Sequence, residues 1–267
     1  MLPAVLFLAG TSTMATFATL QSLLPGRWVS AEVIGLLFLA LLVVTVTGLL
    51  LGTTTLASLL GRLVAERTRR PALLLAARRM VSAPSHTSRA NATLLLVVLL
   101  AAFAQGLREN FLTSTADYGT DFYADTFDLV NVALLFGAVI AAAGLLVGTV
   151  DGVVSRRRVL AGLHAVGVSR ATIARAVLFE NLVPLTPAVV LASLAGLLAA
   201  RGSYGRTVGV SVQGGDGNWT QVAVAVPIPW ESLGVLVVVV LAAAALATAA
   251  SYPVLKVSLR PAELRAD

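Results

Sequence analysis

Hydrophobic and polar positions along this chain fall into long blocks. Stretches free of Asp, Glu, Lys and Arg cover Leu2–Gly26, Val33–Gly61, Ala90–Leu107, Leu129–Val150, Asn181–Ala200 and Ser232–Leu255. A helix needs about 20 mostly apolar residues to cross a bilayer, so each block predicts one span and the chain six. Val33–Gly61 is the longest, Ala90–Leu107 is just long enough, and Asn181–Ala200 carries Pro184 and Pro187 near its start. Leu2–Gly26 is softened by Thr11, Ser12, Thr13 and Gln21. It lacks the basic n-region of a signal peptide and exceeds the usual apolar core of one, so it reads as a span.

Two shorter patterns lie between the blocks. Val208, Val210 and Val212, then Val222, Val224 and Val226, alternate with period two around Gly214-Gly215-Asp216-Gly217-Asn218, which predicts a small β-hairpin between spans five and six. Between spans four and five, Val159, Leu160, Leu163 and Val166 form an apolar stripe on a short helix over Arg156–Val166. Gly167 can end that helix at its C′ position. Ser169 can cap the next one, which carries Ile173, Ala176 and Val177 on one side and runs on into span five.

Composition agrees with the blocks. Of 267 residues 58% are hydrophobic and 12% charged, with a mean hydropathy of +0.91. A soluble domain carries about 25% charged residues, so a water-soluble fold is excluded, and so is intrinsic disorder, which needs low hydrophobicity. Cysteine is absent and the histidines are two, His86 and His164, so no disulfide framework, thiol chemistry or His/Cys metal centre is expected. His86 sits in the turn-rich stretch Ser82–Ser88 and reads as an exposed loop residue.

The net charge of +6 matters through its placement. Basic residues gather between spans two and three (Arg62 to Arg89), between spans four and five (Arg156, Arg157, Arg158, Arg170, Arg175) and at the end (Lys256, Arg260, Arg265). Positive residues stay cytoplasmic, so these segments and both termini are expected inside. The alternate loops then face out. One, Arg108–Asp128, is acidic, with Phe111, Tyr118, Phe122, Tyr123 and Phe127 suited to a membrane interface. The charge is an inward-facing bias and implies no nucleic-acid partner.

Chemistry-bearing motifs are few. No Gly-x-x-x-x-Gly-Lys-Ser/Thr loop is present, so ATP is not expected to bind this chain. No Ser–His–Asp set or paired acid and base can be assembled, so no catalytic residue is expected. Asp151, Glu180 and Glu231 sit at span ends, which argues against a carrier or channel built on intramembrane charges. Gly48 and Gly52, and Gly144, Gly148 and Gly152, have the Gly-x-x-x-Gly spacing that permits close helix approach, within the chain or between subunits.

The segment Ser155–Glu180 resembles the signature of the FtsX-like (MacB-like, type VII) ABC-transporter permeases. There a basic run leads into an apolar helix, then Gly-x-Ser/Thr-Arg, then a Glu shortly before the next span. Arg156, Arg157, Arg158, Leu160, Leu163, Gly167, Ser169, Arg170, Ile173 and Glu180 occupy those places. Val159 stands where the family usually has an acidic residue, and His164 where a basic one is common. Arg70–Arg79 resembles the cytoplasmic lead-in helix of a permease half, and Leu259–Arg265 the closing Pro-x-Glu-x-Leu-Arg tail, one residue shortened.

The resemblance runs from about Arg70 to the C-terminus. It implies an all-α polytopic membrane protein with two preceding helices (1–64), a basic linker helix (65–89) and a four-helix module (90–267). The coupling helix lies between spans four and five. The chain resembles the C-terminal part of a longer permease whose large extracytoplasmic domain is missing. The implied function is a bacterial inner-membrane subunit that couples a separate cytosolic ABC ATPase, which binds the ATP, to export or extraction of an amphiphile. The cargo class is a lipid, lipopeptide or drug, moved by mechanotransmission. A second permease half, or a second copy, is the implied membrane partner, in contact with membrane lipid. The alternatives are a non-transporting scaffold that relays ATPase state to an outer partner, and a truncated orphan half.

Overall fold

The computed structural model describes residues 31–82, 84–115, 121–213 and 218–253, together with Ala9 and Ser12. The expected first span, the closing tail Leu259–Arg265, Asp117, Tyr118 and the hairpin turn 214–217 lie outside the described residues.

In chain order the elements are α1 (Ala31–Arg67), α2 (Pro71–Ser82), α3 (Pro84–Ser114), α4 (Asp121–Val154), α5 (Arg157–Ala165), α6 (Arg170–Tyr204), β1 (Thr207–Gln213), β2 (Trp219–Ala225) and α7 (Trp230–Ala250). Five of them, α1, α3, α4, α6 and α7, are long and apolar enough to cross a membrane. They correspond to expected spans two to six, so the fold is an all-α polytopic membrane fold with one small sheet.

These helices are apolar on most sides, as lipid requires. Phe136, Ile140 and Val147 of α4 and Val235, Val238 and Leu246 of α7 are exposed from the protein. The alternative to water there is hydrocarbon, where only intrahelical hydrogen bonds satisfy the backbone. Several threonines of α1 obey the same rule. Thr45 donates to the Leu41 carbonyl at 2.8 Å, Thr53 to Leu50 at 2.7 Å and Thr55 to Gly52 at 2.8 Å. Each hydroxyl is thus satisfied by its own helix.

Several boundaries shift from the sequence expectation. The sequence predicts a turn-rich stretch over Ser82–Ser88, but α3 begins at Pro84, because proline at the first helical position loses no bond the helix needs. The acidic outer loop is shorter than expected, since Arg108–Ser114 continue α3 and Asp121–Asp128 begin α4. The hairpin forms as expected. Val208 pairs with Val224 and Val210 with Val222 in an antiparallel register, and this pairing puts those four valines on one face.

By contacts the described chain forms two compact units, each taking part of all five long helices. One comprises Met1–Leu49, Leu96–Gly137 and Val190–Val237. Its core gathers Ala102, Leu197 and Leu233, with Ile228 and Leu236 packed against them. Arg201 donates to the Val226 carbonyl at 2.9 Å and ties the hairpin's end to α6. Gln105 donates to Asn131 at 2.9 Å between α3 and α4. The second unit comprises Leu50–Leu95, Ala138–Val189 and Val238–Asp267. It contains the segment that resembles the permease signature.

Close helix approach occurs at glycines outside the expected motifs. A Cβ on Gly196 would collide with the Leu99 carbonyl, and one on Gly106 would lie 2.7 Å from the Ala200 Cβ. In the second unit, a Cβ on Gly61 would lie 2.8 Å from the Ala77 carbonyl, which seats α2 against α1. Gly52 and Gly144 have nothing within 4 Å of that position. Gly48 and Gly152 are buried and Gly148 is half-buried.

Candidate functional site

The break between α5 and α6 is built from its own sequence. Gly167 has φ +100°, a left-handed value that side chains resist. Its N–H bonds the His164 carbonyl at 3.0 Å, and the N–H of Val168 bonds the Leu163 carbonyl at 3.1 Å. Those two bonds are the paired closure that ends a helix on a left-handed glycine. Ser169 Oγ then accepts from the Thr172 N–H at 3.2 Å and caps α6. His164 completes the turn. Its Nδ1 lies 3.0 Å from the Val168 carbonyl, and its Nε2 accepts from Arg170 Nε at 3.3 Å. Both bonds are satisfied by the Nδ1–H tautomer.

Leu160 and Ile173 anchor the pair of helices. Both are almost fully buried and cluster with Val153 of α4 and Val177 of α6, while Leu163 and Val168 pack against the cluster. Burying one such side chain contributes about 2 kcal/mol. The expected single stripe on α5 is split, however. Leu160 and Ala161 are buried, whereas Val159 is 62% and Val166 88% exposed. At roughly 100° per residue, seating Leu160 and Ala161 turns Val159 and Val166 outward. The exposed side of the break therefore carries Arg157, Arg158, Val159, Val166, Ser169 and Arg170.

Behind this surface lies a buried ion cluster. Glu180 of α6 is 6% exposed. Its Oε1 accepts from Arg156 at 3.0 Å, and its Oε2 from Arg79 of α2 at 3.2 Å. A buried charge needs partners of this kind, because its desolvation costs several kcal/mol. Arg156 is also the residue at the N-cap of α5 and makes no side-chain cap bond there, its guanidinium being committed to Glu180. One carboxylate thus ties together the lead-in helix, the start of α5 and the first half of α6.

The next residue, Asn181, donates to Thr149 of α4 and Thr248 of α7, each at 3.4 Å. The two hydroxyls in turn donate to Leu145 and Ala244 of their own helices. Arg79, Arg156, Glu180, Asn181, Thr149, Gly148 and Gly152 surround a cavity of about 30 Å³, room for a water or two.

Of the ten coupling residues expected from sequence, the structure thus brings Arg156, Leu160, Leu163, Ile173 and Glu180 into contacts behind the break. Gly167, Ser169 and Arg170 form the break itself, and Arg157 and Arg158 stand on its exposed side. Arg79, His164, Asn181, Thr149 and Thr248 carry bonds that residue type and spacing did not single out.

Residues 131–258 match the FtsX-like permease C-terminal domain. This segment is similar to the FtsX-like permeases. FtsX-like permeases are transmembrane components of ABC-type systems, not catalytic enzymes, and generally work with an ABC ATPase. The permease segment contains most of α4, the whole α5–α6 break, Glu180, the hairpin and α7. Arg79 and the lead-in helix precede it, and Leu259–Arg265 follow it. No curated protein and no solved structure matches the chain.

Proposed function

We propose that this chain is the membrane subunit through which a separate cytosolic ABC ATPase drives export or extraction of an amphiphilic substrate in a bacterial inner membrane. Three things support the reading: the family match of residues 131–258, the inward bias of the basic residues, and the α5–α6 break. The break carries the argument. Its outer side presents Val159 and Val166 among arginines, an apolar and basic surface fitted to a soluble partner. Its inner side is fixed by Leu160 and by the Arg79–Glu180–Arg156 cluster. A push on α5 therefore reaches α2 and α6 together, and α6 carries the displacement onward. Nucleotide-driven closure of the ATPase supplies the push, and a second permease half or second copy completes the transporter.

The test is ATPase turnover by the reconstituted chain and its ATPase in liposomes, with and without an amphiphilic cargo. Cargo stimulates turnover in the parent protein. Gly167→Pro and Arg170→Glu abolish the stimulation. Unchanged ATPase association and turnover in both variants overturns the coupling assignment. Tight association without cargo stimulation favours a scaffold that only relays ATPase state.

A further inference from the structure

A groove on the second unit lies outside the ion cluster and the break. It has a volume of about 380 Å³ and lies between α6 and the end of α7. Ala174, Leu178, Thr248 and Ala249 are among the residues that line it, with Arg175 and Tyr252. Among the described residues lining it, Arg175 is the only charged one. The Thr248 and Ser251 hydroxyls already donate to carbonyls of their own helix. Among the described residues lining the groove, Arg175 and the Tyr252 hydroxyl are the side-chain donors not already used.

The groove has a direction. Asn181 bonds Thr248, which sets those two residues level on antiparallel helices. Arg175 lies six residues before Asn181 and Tyr252 four residues after Thr248, so both sit roughly 6–9 Å toward the same end. Leu178 and Ala249 lie on the way back toward the Asn181–Thr248 level. One end is therefore cationic and hydroxyl-bearing, and the rest is apolar. Arg175 belongs to the basic segment between spans four and five, which places that end at the membrane surface.

The geometry points to a binding site for one anionic phospholipid. Its phosphate sits on Arg175, with the Tyr252 hydroxyl as second donor, and part of one acyl chain lies along Leu178, Thr248 and Ala249. Charge complementarity selects the lipid. An arginine facing a groove with no carboxylate among its described lining residues takes a phosphodiester, and the apolar length behind it suits hydrocarbon. This inference is independent of the coupling role, because it uses neither the exposed side of α5 nor the ATPase.

The full chain is reconstituted in phosphatidylcholine liposomes doped with phosphatidylglycerol carrying a diazirine in one acyl chain, and in a matched set doped with diazirine phosphatidylcholine. After irradiation, labelled residues are read by mass spectrometry. The expected result is labelling at Leu178, Thr248 and Ala249, about fivefold stronger with the anionic lipid, as one basic residue at a charged surface implies. Arg175→Gln removes that preference, Ala249→Trp blocks labelling by both lipids, and Arg62→Gln, an exposed arginine elsewhere in the basic region, changes neither. Equal labelling by both lipids overturns the site. So does an equal loss in Arg62→Gln, which means diffuse surface attraction. Absence of label at all three residues also overturns it, and means that another part of the chain or a second copy covers the groove.

Discussion

Glu180 shows how much a single residue's role depends on its neighbours. By type and position it is an acid at the edge of a span. In the structure it is the shared acceptor of Arg79 and Arg156, and both partners lie outside its own helix. Removing its charge leaves two largely buried guanidiniums facing each other. Glu180→Gln is expected to cost about 2 kcal/mol, below the usual 3–5 for a buried pair because both arginines retain some solvent. That lowers the Tm of the detergent-solubilised protein by roughly 4–8 °C. A double-mutant cycle between Arg79→Gln and Glu180→Gln should return a coupling of about 1 kcal/mol, and additive effects refute the pairing. The pairing was not legible in sequence, since Arg79 and Glu180 are 101 positions apart and no local period links them.

At the scale of elements, the α5–α6 break was legible in its sequence because it is made by local interactions. Gly167 alone tolerates φ +100°, and Ser169 caps the helix that follows. Gly167→Ala is expected to cost about 1–2 kcal/mol from left-handed strain, and Ser169→Ala about 1 kcal/mol from the lost cap. Equilibrium unfolding of both variants checks this, and a neutral Gly167→Ala removes the strained turn from the account. Helix packing behaves oppositely. Gly144 opens the first of two overlapping Gly-x-x-x-Gly units, yet a Cβ there meets nothing within 4 Å, while Gly196, in no such motif, abuts the Leu99 carbonyl. Gly196→Ala should therefore destabilise by about 2 kcal/mol through overpacking, and Gly144→Ala should be neutral or slightly stabilising through helix propensity. Equal effects of the two substitutions contradict this packing. Outward rotation of Val159 and Val166 belongs to the same class. A stripe predicts that a helix has a buried side, but Leu160 meeting Ile173 and Val177 decides which side.

For the whole molecule, the proposed orientation has a direct check. The sequence contains no cysteine, so any introduced one is the only thiol reporter. Val166→Cys and Val222→Cys both lie at exposed positions, one at the α5–α6 break and one on the hairpin. In sealed inside-out membrane vesicles an impermeant maleimide should label Val166→Cys and spare Val222→Cys, and intact cells with permeabilised outer envelopes should give the reverse. Labelling of both from one side overturns the arrangement of spans. The exposed apolar faces of α4 and α7 bear on the same point, because those surfaces are tolerable only in contact with lipid or another apolar helix.

The sequence by itself determined the spans described here, the multi-pass class, the hairpin and its valine alternation, and the glycine–serine break. Each depends on a run of apolar residues, a period of two, or a backbone conformation set within a few positions, and such signals are local. Tertiary structure alone decided which glycines admit a neighbouring backbone and which side of α5 is outward. It also decided that Glu180 and Asn181 gather partners from α2, α4 and α7, and that an arginine-ended groove lies between α6 and α7. These features depend on where distant segments meet, which no composition or spacing along one helix specifies.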